Sequence, residues 1–146
     1  MRDTRELYQQ VILDHNRHPR NFRSIEGAEH HASGNNPLCG DTVSVDLTLE
    51  GGRIVDIAFQ GAGCAISTAS ASMMTDLIKG SSVAEATVLF DQFRDLVRGS
   101  RDGTDQEALS VFSGIRDSPS RVKCATLAWH TMKAALEGTT DTITTE

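Results

Sequence analysis

The chain has 146 residues, with 20 acidic and 14 basic side chains, a formal net charge of −6 and only 5% aromatic residues. That length suits one domain burying about two thirds of its unfolded surface, so stability alone requires no disulfide or metal. The acidic balance and scarce aromatics argue against nonspecific nucleic-acid binding and base stacking, and no apolar run approaches the roughly 18 residues of a membrane span.

The first stretch, Met1 Arg2 Asp3 Thr4 Arg5 Glu6, is charged where a signal peptide carries an apolar core, so no targeting segment is expected. A helix is predicted from about Thr4 to His15, with Asp3 as cap, Glu6 at the capping-box position and Leu7, Tyr8, Val11 and Ile12 as its apolar stripe. Pro19 stops it. His15, Arg17, His18, Arg20 and Arg23 then form a basic cluster, read either as a solvated turn or as a face for an acidic partner.

A short strand is expected within Gly27 to Ser33. From Thr42 the period changes to two: Val43, Val45, Leu47 and Leu49 alternate with polar residues, Gly51 and Gly52 make a turn, and Val55, Ile57 and Phe59 alternate on the return. The predicted class is α+β: a three-stranded antiparallel sheet packed against several helices in one domain over residues 1–138. The helices that follow are predicted over Ile66 to Ile78, Val83 to Val97 and Asp105 to Phe112, with caps at Ser82 with Glu85 and at Thr104 with Glu107. Met73, Met74, Leu77 and Ile78 read as core. The last helix opens with Ser118 and Pro119, carries Val122, Ala125, Leu127, Ala128, Trp129, Met132 and Leu136, and stops at Gly138. Residues 139–146 read as a disordered tail.

Chemistry concentrates at three cysteines, Cys39, Cys64 and Cys124, spaced by 25 and 60 residues. An odd count argues for reduced thiols in a reducing compartment, the cytoplasm, rather than a disulfide framework. The spacings are too long for one metal-binding loop, so any shared site must be assembled by the fold. Cys39 precedes the hairpin's first strand and Cys64 follows its second, so antiparallel pairing returns both to one end of the sheet. Gly61 and Gly63 allow a tight turn there, and Cys64 opens a helix whose N-terminus favours a thiolate. Cys124 lies in the first turns of the last helix, with Arg121 and Lys123 beside it to offset thiolate charge. Asp41, two residues past Cys39 on an extended strand, supplies a fourth donor, and three thiolates with one carboxylate complete a tetrahedral zinc shell. His30 and His31 precede Cys39 closely enough that one of them could reach a metal. His130 lies too far along its helix to be the fourth ligand.

The motifs Pro37 Leu38 Cys39 Gly40 Asp41, Gly61 Ala62 Gly63 Cys64 Ala65 Ile66 Ser67 and Lys123 Cys124, with Ile12 Leu13 Asp14 His15 and Pro19 Arg20 Asn21 Phe22 upstream, resemble the IscU/SufU family of iron–sulfur cluster assembly proteins from Leu7 to about Leu136. The resemblance implies a fold like those of SufE and NifU. Lys123 stands where scaffold-type IscU proteins carry a His, and a helical stretch is inserted between the second and third cysteines. Both departures resemble the SufU branch, which implies one zinc per chain held by Cys39, Asp41, Cys64 and Cys124. That branch also implies Cys39 as acceptor of persulfide sulfur from a SufS-type cysteine desulfurase, with downstream assembly components as recipients. Cys39 is the most displaceable arm, because it sits on a loop between Pro37 and Gly40. Two alternatives stay open: an IscU-type scaffold carrying iron or a [2Fe–2S] cluster on the same thiolates, and a purely structural zinc module. Neither nucleic acid nor a membrane is an expected partner.

Overall fold

Alternation in the hairpin is borne out in the computed structural model, which describes residues 4–138 and 143–144. Val43, Val45 and Leu47 of β2 (Asp41–Glu50) are all buried, and β3 (Arg53–Ala62) returns antiparallel, with Val45 opposite Phe59 and Leu47 opposite Ile57. The return strand departs from the expected pattern at its start. A register shift between Thr48 and Leu49 leaves Val55 unpaired, so Ile54 takes the buried position and Val55 turns outward. A bulge of this kind reverses the alternation on one side of it, which a strict period of two does not anticipate.

β1 (His30–Asn36) pairs antiparallel with β2, running three residues beyond the expected end at Ser33. The sheet has four strands in the order β3-β2-β1-β4, because Ile143–Thr144, here β4, lies parallel to Gly34 and Asn35. Those two residues belong to the stretch expected as a tail. Residues 139–142 and 145–146, like the proposed cap Asp3, lie outside the described residues.

Helices α1 (Thr4–Arg17), α2 (Ala65–Ile78), α3 (Val83–Arg98) and α4 (Pro119–Glu137) stand close to their expected spans. The Ser82–Glu85 capping box forms in full, with both reciprocal hydrogen bonds at 3.0 Å. The expected helix over Asp105 to Phe112 is instead a 3₁₀ helix, Glu107–Ile115. Its start is diverted: the Thr104 hydroxyl bonds Gln106, and Gln92 on α3 clamps both the backbone and the carboxylate of Asp105. Side-chain bonds of this local kind compete with helical pairing.

The apolar core lies where α2 and α4 cover the sheet and α3 and the 3₁₀ helix close over α4. Trp129 stacks on Phe93 at 4.6 Å, Phe112 meets Phe93 edge-on at 5.6 Å, and Trp129 Nε1 donates to Ser70 Oγ at 3.1 Å. Each fully buried aromatic of this kind contributes roughly 1.5–3 kcal/mol, and Met74 and Ile78 share the interior as expected.

The N-terminal basic cluster is largely used within the molecule. Arg20 pairs with Asp14 at 2.8 Å, Arg23 with Asp56 at 2.6 Å, and His15 Nδ1 meets Ser72 Oγ at 2.7 Å. The His15 contact, together with Asn21, which donates to Thr75 at 3.1 Å, seats α1 and the turn after it on α2, while Arg23 ties that turn to β3.

Candidate metal centre

The antiparallel hairpin does bring Cys39 and Cys64 to one end of the sheet, and the N-terminal turns of α4 carry Cys124 to the same place. Thr42 pairs with Ala62, so Asp41 and Gly63 face each other at the strand ends. The Asp41 carboxylate then closes the corner: Oδ1 accepts the Cys64 backbone N–H at 3.0 Å, and Oδ2 lies 3.9 Å from Cys64 Sγ. The Cys39 and Cys124 sulfurs are 3.3 Å apart. Cys39, Asp41 and Cys124 each offer a ligand atom, all within 4.8 Å of one another, and Cys64 borders that trio through Asp41.

Backbone geometry enforces this arrangement at two glycines. Gly40 has φ of +71°, the left-handed conformation that turns the chain from Cys39 into β2. Gly61 has φ of +149°, and a Cβ there would sit 2.1 Å from the Thr42 carbonyl oxygen. Only glycine lets β3 approach β2 this closely just before Cys64.

The sulfurs differ in exposure. Cys39 and Cys64 are exposed and Cys124 is buried. Burial pushes the Cys124 thiol far above the ordinary thiol range, and hydrogen bonding with Asp41 and Cys39 and the nearby Cys64 push it the same way. Without a metal, Cys124 therefore keeps its proton, which a metal ion must displace on binding. Cys64 caps α2 with its sulfur, which accepts the Ser67 N–H at 3.4 Å.

The donor set suits zinc in dimensions as well as kind. Two sulfurs bound tetrahedrally at about 2.3 Å stand about 3.8 Å apart, and a sulfur and a carboxylate oxygen about 3.5 Å. The Cys39–Cys124 sulfur separation of 3.3 Å and the Cys64–Asp41 sulfur–oxygen separation of 3.9 Å lie within half an ångström of these values, while the Cys39, Asp41 and Cys124 donors as a trio are held only within 4.8 Å of one another.

Asn36 carries a role that the sequence reading missed. It is fully buried, donates from Nδ2 to Cys124 Sγ at 3.7 Å, and accepts the Leu38 N–H on Oδ1 at 3.3 Å, while its carbonyl accepts the Cys39 N–H at 3.2 Å. One side chain thus ties the Cys39 turn to the Cys124 sulfur. An Asn before Pro37 reads as an ordinary turn residue, and nothing local announces its burial.

The two histidines upstream stay away. His30 pairs with Leu47 at the far end of β1, six residues from Asn36 and hence about 20 Å away along the strand. It bonds the Ala135 carbonyl, and His31 bonds Asp46. The expected pair of cations divides: Arg121 lines the cleft of about 770 Å³ beside the three sulfurs, with Tyr8, Ile12 and Ile115, whereas Lys123 lines a different groove. Two residues along a helix make a turn of about 200°, which puts Lys123 on the opposite side of α4 from Arg121.

Comparison with known proteins agrees with this architecture. Residues 7–142 match the model of the NifU-like N-terminal domain. The chain belongs to that family. Within it, the chain is 41% identical over 133 residues to the iron–sulfur cluster assembly scaffold protein IscU of Streptococcus pyogenes serotype M1, covering 90% of this chain and 83% of that one. It is 39% identical over 129 residues to the zinc-dependent sulfurtransferase SufU of Bacillus subtilis, covering 87% of each. A solved structure from Fervidobacterium islandicum AW-1, described as a candidate iron–sulfur cluster assembly scaffold for the SUF system, superposes with a TM-score of 0.82 at 31% identity over 92% of this chain and 99% of that one. The IscU/SufU resemblance carried by the cysteine motifs therefore holds along nearly the whole NifU-like chain. No helix among the described residues is long and apolar enough to cross a membrane.

Proposed function

We propose that this NifU-like protein is an iron–sulfur cluster assembly protein of the SufU kind, a zinc-dependent sulfurtransferase that takes persulfide sulfur onto Cys39 from a SufS-type cysteine desulfurase. What supports the reading is the unequal placement of the trio Cys39, Asp41 and Cys124 and of Cys64 at its border. Asp41 and Cys124 are buried and fixed, Cys64 is tied into the cap of α2, and Cys39 alone sits on an exposed turn. Lys123 in place of a cluster-ligating His and the similarity to a relative named as a zinc-dependent sulfurtransferase support it.

Zinc held by Cys39, Asp41, Cys64 and Cys124 would keep the thiols deprotonated and masked from oxidation. Once released, the Cys39 thiolate attacks the terminal sulfur of the donor's persulfide. The donor's sulfur–sulfur bond breaks, its cysteine leaves as a thiolate, and Cys39 carries the new persulfide. Gly40 gives the turn its freedom, and Arg121 at the cleft offsets thiolate charge. The protein works in the reducing cytoplasm and passes its sulfur to downstream assembly components.

The test is cysteine-dependent alanine release by the cognate desulfurase. Wild-type protein should stimulate turnover and Cys39→Ala should not; no stimulation by the wild type refutes the reading. A second reading, an IscU-type scaffold for a [2Fe–2S] cluster, is favoured by the 41% relative named as a scaffold and by the two exposed sulfurs. Anaerobic reconstitution decides between them: a stable cluster that transfers to an apo-acceptor supports the scaffold.

A further inference from the structure

Helix α4 borders a second groove on the side turned away from the sulfurs. Val122, Lys123 and His130 line it from α4, Arg98 from the end of α3, Arg116 from the turn after the 3₁₀ helix and Ile143 from β4, around a volume of about 460 Å³. Among the described residues no carboxylate lines it, although the whole chain carries an excess of acidic side chains. Among the described residues neither Arg98 nor Arg116 has a carboxylate within 4.0 Å. Arg116 is nonetheless oriented, since its Nε donates to the Ser113 carbonyl at 3.0 Å. Behind this lining, Arg94 and Lys133 sit over the Phe90 ring at 5.8 and 4.9 Å, and His130 packs edge-on against the same ring at 5.1 Å. Burial and then Arg98, Lys133 and Arg94 push the His130 pKa down, although Arg94 is itself paired with Asp91 and Asp95 at 3.3 Å.

We propose that this groove binds an acidic peptide segment of a protein partner, with carboxylates against Arg98 and Arg116 and apolar side chains against Val122 and Ile143. The volume falls in the range of about 300–1,000 Å³ typical of ligand sites, and a lone inorganic anion would leave most of it empty. Such an anion would also make no use of the apolar residues between the cations. Guanidinium groups match carboxylates in a two-pronged geometry, and a cationic groove on an acidic protein selects both the partner and its orientation. A partner seated here stands about one helix diameter, roughly 10 Å, from the metal centre and leaves the sulfurs accessible. The inference does not depend on the sulfur-acceptor reading.

Fluorescence anisotropy of the purified, metal-bearing protein tests it with a labelled peptide of alternating glutamate and leucine. The matching glutamine–leucine peptide serves as the uncharged control and inorganic tripolyphosphate as the phosphate probe. The expected result is saturable binding of the glutamate peptide, weakened at least about tenfold in Arg98→Glu/Arg116→Glu and several-fold as salt rises from about 0.05 to about 0.5 M, with Arg17→Glu on α1 binding like wild type. Should the charge-reversed protein misfold, the neutral pair Arg98→Gln/Arg116→Gln should still weaken binding. Equal binding of the glutamine peptide, wild-type affinity in a folded double variant, no saturable binding, or tripolyphosphate displacing the peptide at lower concentration would each overturn it.

Discussion

Replacing Asn36 by Ala separates the metal centre's supporting contacts from the stability of the fold. The side chain is fully buried and makes two hydrogen bonds, to Cys124 Sγ at 3.7 Å and from the Leu38 N–H at 3.3 Å. Leu38 is 68% exposed, so water replaces the second bond at little cost. The first is different, because among the described residues no other side chain of β1 donates to this buried sulfur. With zinc bound, Cys124 is a thiolate, and a hydrogen bond to a charged group contributes about 1.5–3 kcal/mol. With the metal absent, Cys124 is a neutral thiol and a weak acceptor, so the same contact contributes well under that. The difference falls on zinc affinity, predicting a loss of about 10- to 100-fold, the range expected for partners of metal ligands. Competition against a chromophoric chelator measures it, and a thermal melt of the metal-free protein gives the fold contribution. Unchanged zinc affinity together with a lowered apo-protein melting temperature would refute the reasoning, since Asn36 would then only support the turn.

Gly61→Ala should cost at least about 3 kcal/mol by denaturant titration, because its Cβ would meet the Thr42 carbonyl oxygen at 2.1 Å in a backbone conformation that L residues avoid; a loss below 1 kcal/mol would contradict that close approach. Ser82→Ala removes one arm of the capping box and should cost about 1 kcal/mol, or roughly 2–4 °C in Tm, with zinc affinity unchanged. Burial, with Arg20 for His15 and with Arg98, Lys133 and Arg94 for His130, holds both histidines below the ordinary value of 6.5. As pH falls through about 6.5 the unfolded chain takes up protons that the folded chain resists. This contribution is therefore complete above that pH and declines below it. Asp56, lowered mainly by its hydrogen bond with Arg23, keeps its contribution until the pH falls through the carboxylate range. Melts of the metal-free protein between about pH 7.5 and 5 should show a decline that His15→Gln and His130→Gln each flatten; parallel curves would remove the histidine account.

Much of the site was legible because the hairpin is a local object. Val43, Val45 and Leu47 specify its first strand, Gly51 and Gly52 its turn, and antiparallel pairing then places Cys39, Asp41 and Cys64 at one end without knowledge of the rest of the chain. The Ser82–Glu85 cap was legible for the same reason. The less legible features depend on contacts between distant residues. The slip at Thr48 and Leu49, the diversion of the 3₁₀ start by Gln92 and the addition of Ile143 and Thr144 to the sheet each rest on a partner far along the chain or on a packing choice that periodicity does not encode.

The sequence by itself supplied the candidate donors: three thiols and a carboxylate in motifs whose neighbours permit tight turns and a helix start, in a chain whose charge disfavours nucleic acid. Only the tertiary structure decided that Cys124 is buried while Cys39 and Cys64 are exposed, that Asn36 ties Cys124 to the Cys39 turn, and that Lys123 and Arg121 face different grooves. Chemistry belongs to side chains and can be read one residue at a time. Burial, direction and electrostatic field belong to the packing of α4 on the sheet, which emerges only once the whole chain is in place.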